Sequence, residues 1–459
     1  MTTFHRTLRQ DGICLLMLDR SGASANVFDR ATLEELRAEL DFIEARPDTV
    51  KGMILASAKR SIFIAGLDLK TLGENPSATQ IREIVELGQS QFNRIAQLRI
   101  PTVAAIHGAA VGGGFEIALA CDWRVASSDP VTKIGLPETK IGLLPAWGGS
   151  TRLPRLIGLP KALDVILAGK TPAARAALKL GMIDDIVPAE NLLAFAAKKI
   201  SEGKPRRRGH WLVNNPVAAT IIAKKLRPQL LQRTRGHYPA LLKALDVVTR
   251  GVSDSVSGSL ALERDSAVEL IQGDTCRNLI GVFFLQERAK KLPAPAKDAR
   301  PISAAAVIGA GVMGSGIAQW LSARRLRVML RDVNVEQVAR GMSNIAKIYG
   351  EGVRHRVFTR REARNGMDRI FPAPYEAPLS RVDIVVEAAV ENLELKKRIF
   401  ERLDALAGDE TLLATNTSAL PVSELAAGTR RPDRVVGLHF FNPVHRMPLV
   451  EVVAARQTA

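Results

Sequence analysis

Residues 304–334 read AAAVIGAGVMGSGIAQWLSARRLRVMLRDVN. An apolar run enters G-A-G-V-M-G at 309–314, a helical stretch follows, and a second apolar run closes on Asp332. Short apolar runs bounded by glycine and charge read as buried strands, so the stretch predicts a β-α-β unit. Asp332 lies 23 residues after Gly309, near the spacing at which an acidic strand end accepts a ribose 2′-hydroxyl. A lone GxGxxG is a weak signal; the strand, the helix and the acidic end make this one specific. Gly309 permits the sharp turn, Gly311 lets backbone approach a pyrophosphate, and Gly314 lets helix and strand pack closely, with Met313 in the same turn. Asp332 should repel a 2′-phosphate and favour NAD over NADP, a preference that Arg331 softens.

Upstream, KKLPAPAKDARPIS at 290–303 interrupts any regular element with prolines and charges, so a new domain should start there. From 191 to 300 the strand patterns disappear, and stretches such as HYPALLKALDVVTRGV read as amphipathic helices forming a connector. This segment holds 20 lysines and arginines against 9 acidic residues, within a net charge of +17 for the chain. A basic stripe, with GKPRRRGH at 203–210, attracts polyanions: nucleic acid, an acidic membrane surface or a phosphate-rich small molecule. It lacks interleaved aromatics and any nucleic-acid recognition signature, which argues against nucleic acid and leaves a solvated basic face as the simplest reading.

From 1 to 190 the chain alternates short apolar runs with helical patterns. ICLLMLDR (13–20), GMILASA (52–58) and TVAAIHG (102–108) read as buried strands. Between the first two, Leu33, Leu36, Leu40 and Ile43 share one helical face, with Asp29 as the expected N-cap. After the third strand comes VGGGFE at 111–116, and then GLPETK, whose Glu138 lies 22 residues after Glu116. Three glycines before a carboxylate suit a phosphate cradle, an oxyanion hole or a tight turn beside a capping Glu. The spacing does not match a dinucleotide loop.

A chain of 459 residues exceeds one core and suggests two or three domains. No apolar run approaches the ~20 residues needed to span a bilayer. The start, MTTFHRTLRQDG, lacks a secretory pattern, so the cytoplasm is the expected compartment. Three cysteines (Cys14, Cys121, Cys276), none in a CxxC pair, suggest neither a disulfide framework nor a metal site.

IHGAAVGGGFEIALACDW, KIGLPETKIGLLPAWGGSTRLPRLIG and SIFIAGLDL resemble the enoyl-CoA hydratase/isomerase (crotonase) family. GAGVMG, VVEAAVEN, ATNTSALP and GLHFFNPVHRMPLVE resemble the NAD domain of 3-hydroxyacyl-CoA dehydrogenases. In this order they resemble the α-subunits of fatty-acid oxidation complexes. The resemblance implies an α/β chain: a crotonase-like ββα-spiral domain at 1–190, a basic helical connector at 191–300, and a Rossmann-type doubly wound domain at 301–459. It implies hydration of trans-2-enoyl-CoA, with the backbone N–H groups of Leu67 and Gly113 holding the thioester oxygen. Glu116, expected to stay ionised in the first turn of its helix, would act on water, and Glu138, its proton affinity raised by an apolar pocket, would act at the α-carbon. Leu67 is bulkier than the small residue often found there, and SSDPVT at 127–132 lengthens what should be a hairpin. For the second activity the resemblance implies His439 as base, oriented by Glu451. Asn442 and Ser418 would lie near nicotinamide and substrate, and Glu391 and Lys396 would contact the cofactor. His445 is read as structural.

Family members continue past VEVVAARQTA with a helical region that completes the dehydrogenase cleft. The expectation is therefore a working hydratase with weak or absent dehydrogenase activity in this chain. Implied partners are acyl-CoA thioesters and a thiolase β-subunit, with peripheral membrane contact open for the basic connector. Two other readings stand beside this one: an idle acyl-CoA and NAD-binding module that docks a thiolase, and an enzyme that mainly moves a double bond between the 3 and 2 positions.

Overall fold

The computed structural model describes residues 2–73, 76–290 and 300–459, so most of the expected linker at 290–303 lies outside the described residues. The chain divides into two compact units, Met1–Pro293 and Ala294–Ala459. The expected connector at 191–300 is not a unit of its own. Helices Pro216–Thr234, Pro239–Gly251, Val256–Gln272 and Asp274–Lys290 belong to the first unit, where Ala244, Leu245, Val248 and Ala267 share one apolar core with Leu16, Phe92 and Phe115. An amphipathic helix needs a surface for its apolar face, and the first 190 residues provide it.

Among the described residues the first unit has nine strands: β1 (Phe4–Leu8), β2 (Ile13–Leu18), β3 (Gly52–Ser57), β4 (Ile62–Ile64), β5 (Thr102–Ile106), β6 (Ala109–Val111), β7 (Trp123–Ser127), β8 (Lys133–Gly135) and β9 (Asp185–Val187). One sheet runs β1-β2-β3-β5-β7-β9 and a smaller one β4-β6-β8. Only β1 runs antiparallel to its neighbour. Each of the pairs β3/β4, β5/β6 and β7/β8 gives its first strand to the large sheet and its second to the small one, and a helix or helical turn follows. This repeat makes the spiral, and it brings the ends of β4, β6 and β8 together. SSDPVT therefore crosses between two sheets and does not turn a hairpin; Asp129 O accepts the Thr132 N–H at 3.0 Å there. The expected helix spans Arg30–Glu44, capped by the Asp29 carboxylate on the Thr32 N–H, with Leu33, Leu36, Leu40 and Ile43 buried.

The second unit is one seven-stranded sheet of β10 (Ala304–Ile308), β11 (Arg327–Arg331), β12 (Ile370–Ala373), β13 (Ile384–Glu387), β14 (Leu412–Thr415), β15 (Val435–Phe440) and β16 (Val450–Ala454). Its order is β12-β11-β10-β13-β14-β15-β16, parallel except for β16. Strand order reverses beside β10, so the crevice where a ligand binds such a sheet opens at the end of that strand. The three cysteines are buried and unpaired. Among the described residues no helix is long and apolar enough to cross a membrane.

Candidate active sites

The three glycines that follow β6 are required for three different reasons. Gly112 has φ +56°, a left-handed conformation that side chains disfavour. A β-carbon on Gly113 would stand 2.6 Å from the Trp147 ring, and one on Gly114 would stand 2.0 Å from the Ile64 carbonyl oxygen. Helix Gly113–Ala120 thus starts pressed against β4 on one side and Trp147 on the other. Trp147 is held by edge-on contacts with Phe28 and Phe92, ring centroids 5.8 and 5.6 Å away.

This packing leaves two donors without acceptors. Neither the Leu67 nor the Gly113 N–H finds a hydrogen-bond partner among the described residues. Their loops touch: a β-carbon on Gly66 would stand 3.0 Å from the Gly113 nitrogen. Both line a cavity of about 530 Å³ that also exposes Glu116 and Glu138. Its walls are mostly apolar, and they include Ala267, Ile271, Leu279, Val282 and Phe283 from the last two helices of the unit. The sequence reading had placed those helices outside the domain.

Glu116 is buried, and its Oε1 accepts the N–H groups of Trp147 and Gly149, both at 2.8 Å. Burial nevertheless dominates: it pushes the carboxyl up to about 7 against the pull of those donors and of Arg152. The expectation that Glu116 simply stays ionised is corrected, because removal from water outweighs one helix terminus. Glu138 opens the short helix Glu138–Ile141, and its Oε2 is buried with no partner among the described residues. Burial, then the Glu116 carboxyl, then that of Glu263 push Glu138 well above the ordinary carboxyl range. Two carboxyls of unlike proton affinity thus share one apolar cavity.

Sequence reasoning missed Trp147, Arg152 and Glu263. Glu263 stands on helix Val256–Gln272 in register with buried Leu260, Ala267 and Leu270. A carboxylate on an apolar stripe was the signal available for it.

In the second unit, Gly309 has φ +105°, and a β-carbon there would meet the Ala388 carbonyl oxygen at 2.6 Å. A β-carbon on Gly314 would meet the Gly309 oxygen at 1.8 Å, whereas one on Gly311 would meet nothing within 4 Å. The first and last glycines are fixed by packing, and the middle one faces open space at the start of helix Val312–Ala323, which no side chain caps. Met313, half-buried, packs against the core of the unit. Asp332 reaches back, its Oδ2 accepting the Ala310 N–H at 2.6 Å, and Arg331 is drawn to Glu376 at 3.4 Å. A pyrophosphate fits the bare helix start and a ribose fits beside Asp332.

Glu391 Oε1 accepts the Thr417 hydroxyl at 2.5 Å and the Ser418 N–H at 3.2 Å, linking two expected cofactor residues. Lys396 departs from expectation. It is 1% exposed and its ammonium donates to both oxygens of Glu387, at 2.6 and 2.8 Å. Only at 3.5 Å does it approach Glu391, so it is a buried counter-ion that steadies the end of β13 and not a free cofactor contact. His439 and Glu451 stand opposite each other on β15 and β16, and His439 Nδ1 lies 2.8 Å from Glu451 Oε2. Their 12-residue separation becomes adjacency because β16 is antiparallel. Asn442 follows β15 at the surface, as does His445.

The first unit thus holds an apolar cavity with two free N–H groups and two buried carboxyls, and the second a glycine-rich turn with an acidic strand end and, on β15 and β16, a histidine–carboxylate pair. Residues 8–213, in the first unit, match the family model described as enoyl-CoA hydratase/isomerase, and residues 304–459, in the second, match that of the NAD-binding domain of 3-hydroxyacyl-CoA dehydrogenase. It is similar along its whole length to the fatty acid oxidation complex subunit alpha of Shewanella amazonensis, 36% identical over 467 residues, and of Shewanella putrefaciens, 36% over 466. The chain spans 66% of the length of these relatives. Among solved structures, an (S)-3-hydroxybutyryl-CoA dehydrogenase from Ralstonia eutropha is 36% identical, covering 35% of this chain and 56% of that one, with a TM-score of 0.34. An enoyl-CoA hydratase from Bacillus anthracis is 26% identical, covering 62% and 97%, with a TM-score of 0.42.

Proposed function

We propose that the first unit adds water across the C2=C3 bond of a 2-enoyl-CoA thioester, and that the second holds NAD while His439 takes the proton of the resulting 3-hydroxyl group. These are successive steps of fatty-acid β-oxidation. One observation carries the first half: two carboxyls of unlike proton affinity face two free N–H groups across a single cavity.

The thioester oxygen sits between the Leu67 and Gly113 N–H groups, which are fixed before charge develops on it. Glu116, as carboxylate, takes a proton from water while the water oxygen bonds to C3. The C2=C3 electron pair moves toward the carbonyl as the enolate, and the Glu138 carboxyl gives its proton to C2. Glu116 then carries the water proton and Glu138 the charge, so a proton returning from one to the other resets the site.

In the second unit, bound NAD supplies the hydride acceptor. Glu451 fixes His439 through Nδ1 and leaves Nε2 to accept the hydroxyl proton. The open backbone at Gly311 and the start of helix Val312–Ala323 takes the pyrophosphate, in the turn that Gly309 and Gly314 shape, and Asp332 takes the ribose.

Support for a partner subunit comes from the relatives, which are alpha subunits of a complex; we assign that partner thiolase activity and place the chain in the cytoplasm, where its unpaired thiols stay reduced. Loss of the conjugated absorbance of crotonoyl-CoA tests the hydration step. Equally slow turnover by wild type and Glu138→Gln would instead mark a binding module. A carboxyl that serves C2 can also shuttle a proton to C4, so a 3-enoyl-CoA should isomerise at the same site.

A further inference from the structure

Trp147, Gly148 and Gly149 present three successive N–H groups to two different carboxylates. The first and third donate to Glu116 Oε1, and the middle one donates to Glu263 Oε2 at 2.7 Å. The alternation requires the reversed backbone of Gly148, φ +107°. Glu263 is 0% exposed, and its Oε1 makes no hydrogen bond of ordinary geometry among the described residues, the nearby Thr151 hydroxyl being paired with Ser259. Packing alone would be better served by an apolar side chain at this register, because a buried carboxyl with an unpaired oxygen is costly.

We propose that Glu263 is a third carboxyl of the hydration site: a positioning residue that anchors the turn holding Glu116, and whose negative charge, once present, keeps the Glu138 proton in place. This rests on the hydration reading above.

The charged groups around Glu263 support it. Arg152 and Arg155 face it from helix Gly149–Ile157, and Glu116 and Glu138 face it from the cavity side. On its own helix, Arg264 and Asp265 turn instead toward Glu86 and Arg82. Arg155 is spent on the carbonyls of Thr151, Gly251 and Asp254. Arg152 lies against Trp147 O and Asn93, so one nearby buried guanidinium serves both Glu116 and Glu263. Around Glu138, Lys140 shares its short helix, and Tyr238 and Cys276 pack beside that helix with their neutral forms favoured by burial.

As pH rises, Glu116 ionises at about 7 and Glu263 at about 8, and the negative charge on each raises the proton affinity of Glu138. Each ionisation opposes the next. The charge on Glu263 therefore defends the Glu138 proton on the alkaline side, and the acid side belongs to Glu116.

The experiment compares wild type, Glu263→Gln and Glu263→Asp, with folding checked by thermal midpoint. In E263Q the alkaline limb of kcat/KM for crotonoyl-CoA should move down by ~0.5–1 pH unit while the acid limb stays. E263D keeps a charge one methylene further back, and should shift the limb less, in the same direction; it also serves if E263Q does not fold. An infrared titration of the carboxyl C=O band that E138Q removes should show the same displacement without turnover. Alkaline limbs and bands that coincide with wild type in both variants overturn the proposal. If wild type fails to hydrate crotonoyl-CoA, the hydration reading falls, and the band titration still decides Glu263.

Discussion

Replacing Gly114 by alanine asks whether the start of helix Gly113–Ala120 and the donor pair are one mechanical object. The new β-carbon would stand 2.0 Å from the Ile64 oxygen and 2.7 Å from its carbonyl carbon. Relief to an ordinary contact needs a retreat of roughly 1.3 Å. Ile64 cannot give, because β4 is paired with β6, whose own end feeds the helix. The helix cannot retreat cheaply either, since all its residues are buried. Overpacking of this kind costs ~1–3 kcal/mol, and backbone on both sides puts it at the upper end. At ~2–4 °C per kcal/mol, the first unit should melt about 6–12 °C lower. The retreat also carries the Gly113 N–H away from that of Leu67, and a misplacement of ~1 Å costs ~10²-fold in rate. Calorimetry and crotonoyl-CoA turnover measure both effects, with Gly209→Ala, where a β-carbon meets nothing within 4 Å, as control. A Gly114→Ala protein that melts and turns over like that control would refute the reasoning.

Gly311→Ala should leave the melting of the second unit unchanged, since its β-carbon enters open space, yet weaken NAD binding by more than ~10-fold by holding backbone off the pyrophosphate; titration calorimetry giving unchanged affinity would contradict the dinucleotide assignment. Lys396→Met strands the buried Glu387 charge and should cost ~3–5 kcal/mol of stability. Unaltered melting with lost NAD affinity would instead restore the direct-contact reading. Glu116 and Glu263 are raised from an ordinary 4.5 to about 7 and about 8. Their contribution to stability is therefore fully present below about 4.5 and is lost as pH rises through those values. The thermal midpoint of the first unit should fall between about pH 4.5 and 8, and E116Q and E263Q should each flatten that slope; parallel slopes in all three proteins would count against it.

Sequence by itself determined what depends on local backbone chemistry. GAGVMG after an apolar run needs a reversed φ at Gly309 and contact-close packing at Gly314, and no other common element accepts that spacing with Asp332 at the next strand end. The motif-bearing glutamates, His439 and Glu451 were legible for the same reason, through short stretches whose neighbours constrain them. Tertiary structure alone decided what depends on distance through space. It folded residues 216–290 into the first unit, because their apolar faces had no other surface to cover. That folding put Phe283 into the cavity wall and Glu263 behind Glu116, two residues that no local pattern connects to a glutamate about 150 positions upstream. It also reversed two expectations of charge. Burial raised Glu116 from the ordinary carboxyl range to about 7, and Glu387 claimed the Lys396 ammonium, because the cost of removing a charge from water is set by the whole surrounding fold and not by the residues beside it in the chain.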